Sequence, residues 1–482
     1  MAKQSYILNL PLKTEAWQEH RLFKRLEMAR NIYNGCLGEV LKRYKRLKQD
    51  KGFKYWIKQT KSKERTQALK QLNKGYELSE YSLHAFVKPM QHHFKKNIDA
   101  HTSQKIATRA WKTFEKFMYD KNAKKVHFKR KGELESVEGK TNKSGIRYMD
   151  EHIHWNGLII PVVIKDHDEY AHIALLDKIK YCRMVRKVIR GKDRYFVQFV
   201  LDGVPPKKMD KATGPFKQPH NEGKVGLDIG TQTIAVVSKD EAKLLELAPN
   251  INNIEREKRI LLRKLDRQRR ANNPHKYNPD GTIKRTKEKW MISNNYLNTK
   301  RQLAERQRKI ADIRKQDHNR MANWILSLGD DIKVETMNYK GLQARAKQTT
   351  VNKKTGRIHR KKRFGKSLAN KAPSMLLTIL DNKLKYEGKE LQEIDTYKVK
   401  ASQYNHFDHS YVKKPVSKRW NEFECGKVQR DLYSGYLIMN VKDNLKEIDR
   451  ERCVEYWAIF KELHNKEIER LKQTKTLASM GL

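Results

Sequence analysis

Residues 221–237 read NEGKVGLDIGTQTIAVV, and this stretch decides the fold of the C-terminal half of the chain. An apolar run, Val225–Leu227, leads to a lone acid, Asp228, and the chain then turns through Gly230 into a second apolar run at 234–237. Two such runs around a short turn predict a hairpin of two buried strands. A carboxylate at the end of a buried strand is costly unless its charge is compensated, and divalent cations bind carboxylate oxygens. Asp228 is therefore predicted to hold a metal ion or a phosphate.

The charge of the chain indicates the class of its partner. The 482 residues carry 105 Lys and Arg against 56 Asp and Glu, a formal net charge of +49. Such self-repulsion is typical of proteins that bind a polyanion, with nucleic acid as the first candidate and an anionic membrane surface as the second.

The absence of targeting signals and the distribution of cysteines indicate where in the cell the protein is expected. No run of 18 apolar residues occurs and the N-terminus lacks the pattern of a signal peptide, so we expect neither a spanning helix nor secretion. Four scattered cysteines without a CxxC pair fit a reducing, cytoplasmic location.

The N-terminal half alternates between strand and helix patterns. Residues 4–10 suggest a first strand, residues 14–120 show apolar positions at helical spacing with Lys and Arg on the other faces, and residues 124–203 contain short β-rich runs. This order predicts a basic helical bundle inserted into a small sheet or barrel that the first strand joins. The charged helix faces have a plain interpretation as solvated surface, but the excess of one sign favours polyanion binding.

The order of elements in the C-terminal half predicts a fold. Residues 204–223 hold four of the twelve prolines and no apolar periodicity, which marks a domain boundary. The predicted elements are strands at 224–228, 233–238 and 243–247, helices at 251–271 and 288–328, a strand at 331–336, a helix at 373–387, a strand at 391–396 and a helix at 429–445. Three strands, helix, strand, helix, strand, helix is the order of an RNase H-like fold.

Three acids occupy related places in this order. Asp228 ends the first strand, Glu335 ends the strand at 331–336, and Asp431 opens the last helix, where Gly435 allows close packing. In an RNase H-like fold these places converge. Three carboxylates can hold two Mg²⁺ ions about 3.5–4 Å apart, an arrangement that cleaves phosphodiesters. The acids are therefore predicted to form one catalytic site.

Each acid also has a plainer interpretation. Asp431 alone is typical of a helix N-cap, and Glu335 alone of an exposed strand end. The Asp-x-Gly-Thr context of Asp228 also occurs in actin-like and sugar-kinase ATPases. An ATPase needs two further Gly-rich loops, which the sequence lacks, and a charge of +49 does not suit a small-nucleotide kinase.

Three segments carry a resemblance to a known family. VGLDIGTQTIAVV (225–237), IKVETMNYKGLQ (332–343) and QRDLYSGYLIMN (429–440) resemble the three RuvC motifs of the TnpB (OrfB) transposon-associated nucleases, which are ancestral to miniature type V CRISPR effectors. ARNIYNGCL (29–37), HTSQKIATRAWKTF (101–114) and the stretch 364–403 resemble other parts of that family. The resemblance thus covers nearly the whole chain.

The resemblance implies an α+β multidomain protein that acts as an RNA-guided DNA endonuclease. Asp228, Glu335 and Asp431 would be its catalytic residues and its Mg²⁺ ligands. A guide RNA and target double-stranded DNA would be its partners, without a small-molecule substrate, and the protein itself would recognise only a short flanking motif and the heteroduplex shape.

The resemblance also implies a division into domains. A β-barrel wedge domain would hold an inserted helical recognition bundle, and a RuvC nuclease domain would follow with a target-loading insertion and a charged tail. The corresponding ranges are 1–12 with 121–205 for the wedge, 13–120 for the bundle, 206–223 for a linker, 224–401 with 429–445 for the RuvC domain, 402–428 for the insertion and 446–482 for the tail.

Several residues become candidate nucleic-acid contacts by the same resemblance. Tyr33, Asn34, Gln104, Lys105 and Thr108 would contact the flanking duplex, since Gln and Asn can pair with adenine edges and Lys can reach guanine. Packing or phosphate contact is the plain alternative for each of them. The basic run at 343–366, which includes Arg360, Lys361, Lys362 and Arg363, is a candidate substrate-side loop or a disordered segment.

One departure from the family concerns zinc. The family usually carries a ribbon with two CxxC pairs before the third acid, but residues 402–431 contain only Cys425, beside His406 and His409. A structural zinc site takes four N or S ligands. We therefore expect a degenerate, metal-free insertion, which affects how DNA is loaded and not the cleavage chemistry.

Two other functions stay open at this point. The chain could be a guide-dependent repressor that binds DNA without cutting, or an RNA-binding protein whose C-terminal half only supports RNA. The presence of all three acids favours cleavage.

Overall fold

The computed structural model describes residues 4–120, 123, 125–207, 218–346, 348–352, 356, 364–415, 417–474 and 477–481. It divides into two compact units, Met1–Pro206 and Lys207–Leu482, and each unit combines helices with sheets. The chain is thus a mixed α/β protein of more than one domain. The candidate contacts Arg360, Lys361, Lys362 and Arg363 lie outside the described residues. Within the described part of the chain, no helix has the length and apolar character needed to span a membrane.

The first unit contains two open sheets. One has the order β1-β7-β6-β2 and the other the order β3-β4-β5, and all paired strands are antiparallel. The strands are β1 (Ser5–Pro11), β2 (Ser136–Glu138), β3 (Arg147–Met149), β4 (His152–Trp155), β5 (Leu158–Pro161), β6 (Ile179–Ile189) and β7 (Lys192–Asp202). Because β1 pairs with β7 along its whole length, the predicted first strand does join the sheet.

The predicted β-barrel is not formed by the described residues. Closure requires that every strand has two neighbours, but β1 pairs only with β7 and β2 pairs only with β6. An isolated bridge between Leu12 and Val162 links the two sheets. The edges of the four-stranded sheet therefore stay open in this unit.

Helices fill the chain between β1 and β2, as the pattern at 14–120 predicted. They are α1 (Ala16–Leu47), α2 (Lys51–Trp56), α3 (Lys63–Gly75), α4 (Glu80–Phe86), α5 (Lys88–His93) and α6 (Ala100–Tyr119), and α7 (Glu169–Ala174) follows β5. Arg25 of α1 is buried and donates to the carbonyl oxygens of Trp155 and Asn156, and its guanidinium lies over the Trp155 ring. The helices and the three-stranded sheet thus share one core.

The second unit is built on a five-stranded sheet with the order β10-β9-β8-β11-β12. Its strands are β8 (Lys224–Ile229), β9 (Thr233–Val237), β10 (Ala242–Glu246), β11 (Asp331–Glu335) and β12 (Gln392–Ile394). The first three form the predicted antiparallel meander, while β11 runs parallel to both β8 and β12. A mixed sheet buried on both faces explains why β8 and β9 are nearly continuous apolar runs.

Helices cover both faces of this sheet. Leu326 and Leu380 pack on the face that carries Val225 and Val334, and Tyr436 packs on the face that carries Val237. The remaining elements are α8 (Asn252–Asn272), α9 (Asn294–Leu328), α10 (Tyr339–Gln343), α11 (Gly365–Lys371), α12 (Pro373–Tyr386), α13 (Thr396–Val399), β13 (Trp420–Phe423), β14 (Gly426–Gln429), α14 (Arg430–Met439), α15 (Arg450–Glu455) and α16 (Trp457–Lys472).

The segment after residue 445 is part of the core, although the sequence suggested a charged tail. Phe460 of α16 stacks on Tyr436 of α14 with ring centroids 4.3 Å apart. The buried carboxylate of Glu467 accepts a hydrogen bond of 2.8 Å from the backbone N–H of Leu244 in the edge strand β10. The segment is helical as predicted, but the buried face of α16, which includes Phe460 and Glu467, packs against the sheet and covers its edge strand β10.

Candidate active site

Strand register brings the first two acids together. β8 and β11 are parallel neighbours in which Val334 lies opposite Leu227. Asp228 and Glu335 each follow by one residue, so they lie side by side at the C-terminal ends of adjacent strands, which are about 4.8 Å apart in a sheet. They also share a face of the sheet, because equivalent positions on neighbouring strands point the same way.

The backbones of β8 and α14 cross closely, and this crossing places Asp431 near Asp228 and Glu335. Gly226, two residues before Asp228, packs directly against Gly435 and Met439 of α14, where a Cβ atom would lie 2.9 Å from the Met439 Cα. Asp431 lies one helical turn before Gly435. The sequence predicted that Gly435 permits close packing, and the structure identifies Gly226 as its partner.

A buried lysine holds the other end of α14. Lys333 is the register neighbour of Gly226 on β11, and its ammonium group donates to the carbonyl oxygen of Val441, just beyond the helix. Burial lowers the pKa of Lys333, and Asp443 lies 3.5 Å from its Nζ as an ion-pair partner. A cation at the C-terminal end of a helix is favourable, so Lys333 stabilises the orientation that points the start of α14 toward the acids.

All three acids line one cavity of about 220 Å³. The β8–β9 turn contributes Gly230 and Thr231, and two arginines, Arg419 and Arg430, complete the charged part of the lining. The structure thus brings together the three residues that the sequence proposed as one site.

The electrostatics of the cavity are those of uncompensated acids. Burial raises the pKa of Asp228 well above its ordinary value, and the nearby Glu335 and Asp431 raise it further, with partial relief from Arg430 and Arg419. Burial also raises the pKa of Glu335. No hydrogen bond or ion pair to either carboxylate is formed within the described residues. A buried carboxylate without a donor is costly, and a bound cation would remove that cost.

Unlike Asp228 and Glu335, the carboxylate of Asp431 forms ion pairs with two arginines. Its carboxylate lies 3.6 Å from Arg419 Nη1 and 3.5 Å from Arg430 Nε. It is not the helix N-cap, because the side-chain oxygen of Gln429 accepts the capping hydrogen bond of 2.9 Å from the Leu432 N–H. The N-cap interpretation of Asp431 is therefore wrong, and its carboxylate is left to face the cavity.

Gln429 connects the C-terminal segment to this site. Its backbone N–H donates to His464 Nε2 at 3.0 Å, and its side-chain amide donates to the Met480 carbonyl oxygen at 3.1 Å and to Asp431 at 3.5 Å. Burial lowers the pKa of His464 to about 4, so the ring is neutral and able to accept. Gln429 and His464 were missed by the sequence analysis, because only the fold brings α16 to β14.

The donor set fits a divalent metal ion. Three carboxylates supply the hard oxygen ligands that Mg²⁺ prefers, and two of them lack any other partner. As placed, no group of three His, Cys, Asp or Glu side chains in the described ranges forms a ready cage around one ion. Arg419 and Arg430 balance the charge of Asp431, as a bound metal ion would. Sequence reasoning missed both arginines, although Arg430 directly precedes Asp431.

The three residues considered for zinc lie in different surroundings. His406 Nδ1 is 2.7 Å from the Tyr433 hydroxyl in an aromatic cluster, and burial lowers its pKa to about 4. His409 Nδ1 is 2.8 Å from the Tyr404 hydroxyl. Cys425 is exposed at the turn between β13 and β14.

The candidate duplex contacts divide into buried and accessible residues. Asn34 is engaged with the backbone of Lys129, since its amide donates to the carbonyl oxygen and accepts from the N–H, both at 2.8 Å. The hydroxyl of the buried Tyr33 donates to Thr113 at 3.0 Å, and that of Thr108 donates to Glu80. These contacts match the packing alternative for Asn34.

A basic groove runs beside these residues in the first unit. Tyr33, Lys105 and Thr108 line a cavity of about 860 Å³, whereas Gln104 does not. The groove contains one acid, Glu138, which is paired with Arg183 at 2.9 Å. Its cations are Lys105, Arg109, Lys112, Lys116, Lys125, Lys129 and Arg183. This excess of positive charge suits a phosphate backbone.

Comparison with known proteins gives weak structural similarities. No protein-family model and no curated protein matches the chain. A solved Cas12f1–sgRNA–target DNA complex is 13% identical, covers 88% of this chain and 83% of that chain, and has a TM-score of 0.47. A CRISPR-Cas12f ternary complex is also 13% identical, with coverages of 88% and 82% and a TM-score of 0.27.

Proposed function

We propose that this chain is an RNA-guided DNA endonuclease that hydrolyses phosphodiester bonds at a single RuvC-type site. The observation that carries the proposal is the convergence of Asp228, Glu335 and Asp431 on one cavity. These acids come from two parallel strand ends and one helix start, which lie far apart along the chain. The sheet order β10-β9-β8-β11-β12, in which β9 runs antiparallel to the other four strands, supports an RNase H-like fold for residues 224–401 and 429–445.

Asp228, Glu335 and Asp431 would hold Mg²⁺ in this site. The bound ions would supply a water of lowered pKa and charge stabilisation at the leaving oxygen. Arg419 and Arg430 balance Asp431 before the metal enters, and the Arg419 guanidinium, which faces the cavity, would then bind the phosphate of the substrate.

A guide RNA and a target DNA duplex are the partners that the chain suits. The net charge of +49 suits a polyanionic partner, and the three RuvC-like motifs resemble those of RNA-guided nucleases. The basic groove in the first unit, with Lys105 and Thr108, would contact the duplex that flanks the target. Residues 1–12 with 121–205 and residues 13–120 would serve as wedge and recognition regions, although the wedge is an open pair of sheets. Arg360, Lys361, Lys362 and Arg363 would extend the substrate-side surface.

A plasmid cleavage assay tests this proposal. The protein is purified with its RNA, the RNA is sequenced, and a plasmid library with a matching target and randomised flanks is incubated with Mg²⁺. We expect cleavage next to a short flanking motif, none with EDTA, and none after the complex is digested with ribonuclease. Asp228→Ala should reduce cleavage at least ~10³-fold, since it removes a ligand of a metal that stabilises the transition state.

Asp240→Ala is the matched control, because Asp240 is an exposed acid in the β9–β10 turn outside the cavity. Asp228→Ala protein that cuts as well as the Asp240→Ala control would refute the active site. Cleavage of the same target by RNA-free protein would refute the role of the guide. DNA that is bound but never cut would identify a guide-dependent repressor.

A further inference from the structure

Residues 273–293, between α8 and α9, form an ordered loop that we call the clasped loop. Its base is closed by the fully buried Asn273, whose side chain accepts from the Met291 N–H at 2.7 Å and donates to the Met291 carbonyl oxygen at 2.9 Å. The loop contains a 3₁₀ turn at Pro274–Lys276 and an isolated bridge between Tyr277 and Ile283, but no helix or strand longer than these. A connection of this length is uncommon in a compact domain and is usually functional when it is ordered.

A buried lysine organises the interior of the clasped loop. Lys276 is almost fully buried, and its Nζ donates to the Glu288 carbonyl oxygen at 2.7 Å and to Thr286 Oγ1 at 3.2 Å. The Glu288 carboxylate lies 3.6 Å from the same ammonium group and 3.5 Å from His275. Because burial of a lysine is costly unless it is paired, these contacts favour one loop conformation.

The outward charge of the clasped loop is strongly positive. Lys284, Arg285, Lys287 and Lys289 are all exposed, and none of them forms an ion pair with any described residue. Glu288, the acid between them, is engaged by Lys276 and His275 and does not offset their charge. Four cations are therefore displayed on a pre-organised segment.

Apolar side chains accompany these cations. Ile283, Met291 and Ile292 flank the basic run and are 48%, 65% and 57% exposed. Trp290 lies beside them, with the guanidinium of Arg269 over its ring at 5.5 Å. Exposed apolar side chains on an ordered segment are typical of a binding surface. Surfaces that bind unpaired nucleic acid combine cations for the phosphates with rings on which bases stack, and the partly exposed Trp290 lies among these apolar residues.

We propose that the clasped loop is a docking surface for single-stranded DNA, in which Lys284, Arg285, Lys287 and Lys289 bind phosphates and Ile283, Met291 and Ile292 contact unstacked bases. This rests on the proposed function, since a site that cuts DNA needs one strand separated and held. The loop belongs to the same unit as the candidate active site and contributes no residue to its cavity.

Salt-dependent binding tests the proposal without requiring cleavage. The RNA-bound complex carrying Asp228→Ala is titrated with a fluorescent 20-nucleotide oligo-dT, and anisotropy is measured from 50 to 300 mM NaCl. The loop variant replaces Lys284, Arg285, Lys287 and Lys289 with alanine. Because each phosphate contact to single-stranded DNA contributes about 0.7 to the slope of log K against log salt, the slope should shrink by about 3.

The matched control removes the same charge elsewhere by replacing Lys239, Lys427, Lys446 and Lys472, which are exposed and lie outside the loop, with alanine. Met291→Ser with Ile292→Ser should weaken oligo-dT binding severalfold and leave the salt slope unchanged. Circular dichroism verifies that every variant is folded.

Equal slopes for the loop variant and the control would overturn the proposal. A loop variant that loses more affinity for duplex DNA than for oligo-dT would also overturn the proposal. A loop variant that changes only the oligomeric state would overturn it as well, and would identify a second copy of the chain as the occupant of the loop. A wild-type complex that never cuts while the loop variant shows the reduced slope would refute the proposed function and leave the docking surface intact.

Discussion

Replacing Gly226 with alanine is expected to inactivate the candidate site without touching any of its acids. The added Cβ would lie 2.9 Å from the Met439 Cα, and even closer to the Gly435 carbonyl oxygen and the Met439 amide nitrogen. Carbon atoms pack at about 3.5–4.0 Å, so α14 would have to move by roughly 1 Å. All three obstacles are helix backbone, which cannot rotate aside as a side chain can.

The consequences follow from where α14 begins. A shift of that size would displace Asp431 from Asp228 and Glu335, and a misplacement of ~1 Å in an active site can cost ~10²-fold in rate. Overpacking a core typically costs ~1–3 kcal/mol of unfolding free energy. We therefore expect Gly226→Ala to cut DNA at least ~100-fold more slowly under single-turnover conditions, with target binding retained.

Gly435→Ala provides the comparison at the same crossing. Its Cβ would meet the Val237 Cγ2 at 3.0 Å and no backbone atom closer than 3.7 Å. A small side-chain adjustment is offset by the helix propensity that alanine gains over glycine, ~1 kcal/mol. Single-turnover cleavage and urea denaturation are measured for both variants. If Gly226→Ala matches Gly435→Ala in rate and stability, the backbone crossing does not position the active site and the reasoning is refuted.

Four further outcomes follow from the contacts described above. His464→Ala should lower the unfolding free energy by ~1–3 kcal/mol by leaving a buried N–H without an acceptor, and His464→Gln should recover most of it in urea denaturation. Burial lowers the pKa of His464 and His406 to about 4, so each ring is protonated more readily in the unfolded chain than in the folded one. As the pH falls from ~6.5 toward 4, each ring should therefore lower the free energy of unfolding by on the order of 3 kcal/mol. A urea midpoint that does not change down to pH 5 would contradict this. Arg419→Met should tighten Mn²⁺ binding to the apo protein about fivefold in calorimetry, as expected when an ion pair worth ~1 kcal/mol no longer competes for Asp431. Asn34→Ala should cost ~1–3 kcal/mol of stability and leave the flanking-motif preference unchanged in the plasmid library, since its amide is used internally.

Local patterns predicted most strands and helices of the second unit and placed three acids at their ends. Apolar runs, turn residues and the acids at strand and helix ends are properties of short segments, so Asp228, Glu335 and Asp431 could be named from their positions alone. The family resemblance nominated Asn34 as a DNA contact, yet its amide fits the Lys129 backbone. A short motif does not reveal whether the fold will use the hydrogen-bonding groups of a polar side chain internally or leave them exposed to a ligand.

Residues that act through distant partners were not predictable. Gln429, His464 and Arg419 contribute to the site through contacts that exist only after β14, α16 and the preceding loop have packed together. The open sheets of the first unit illustrate the same limit, since strand periodicity predicts strands but not whether the two edges meet. The burial of Lys276 within the clasped loop is a further feature that exists only in the folded chain.

Local sequence patterns were enough to predict most of the strands and helices and the acids at their ends, because hydrophobic periodicity and turn chemistry operate over a few residues. The tertiary structure alone decided how close those acids come and what surrounds them. That depends on β-sheet register and on the Gly226–Gly435 crossing, where α14 approaches β8 this closely because Gly226 lacks a side chain. Such complementarity between distant segments is a property of the packed core and not of either segment.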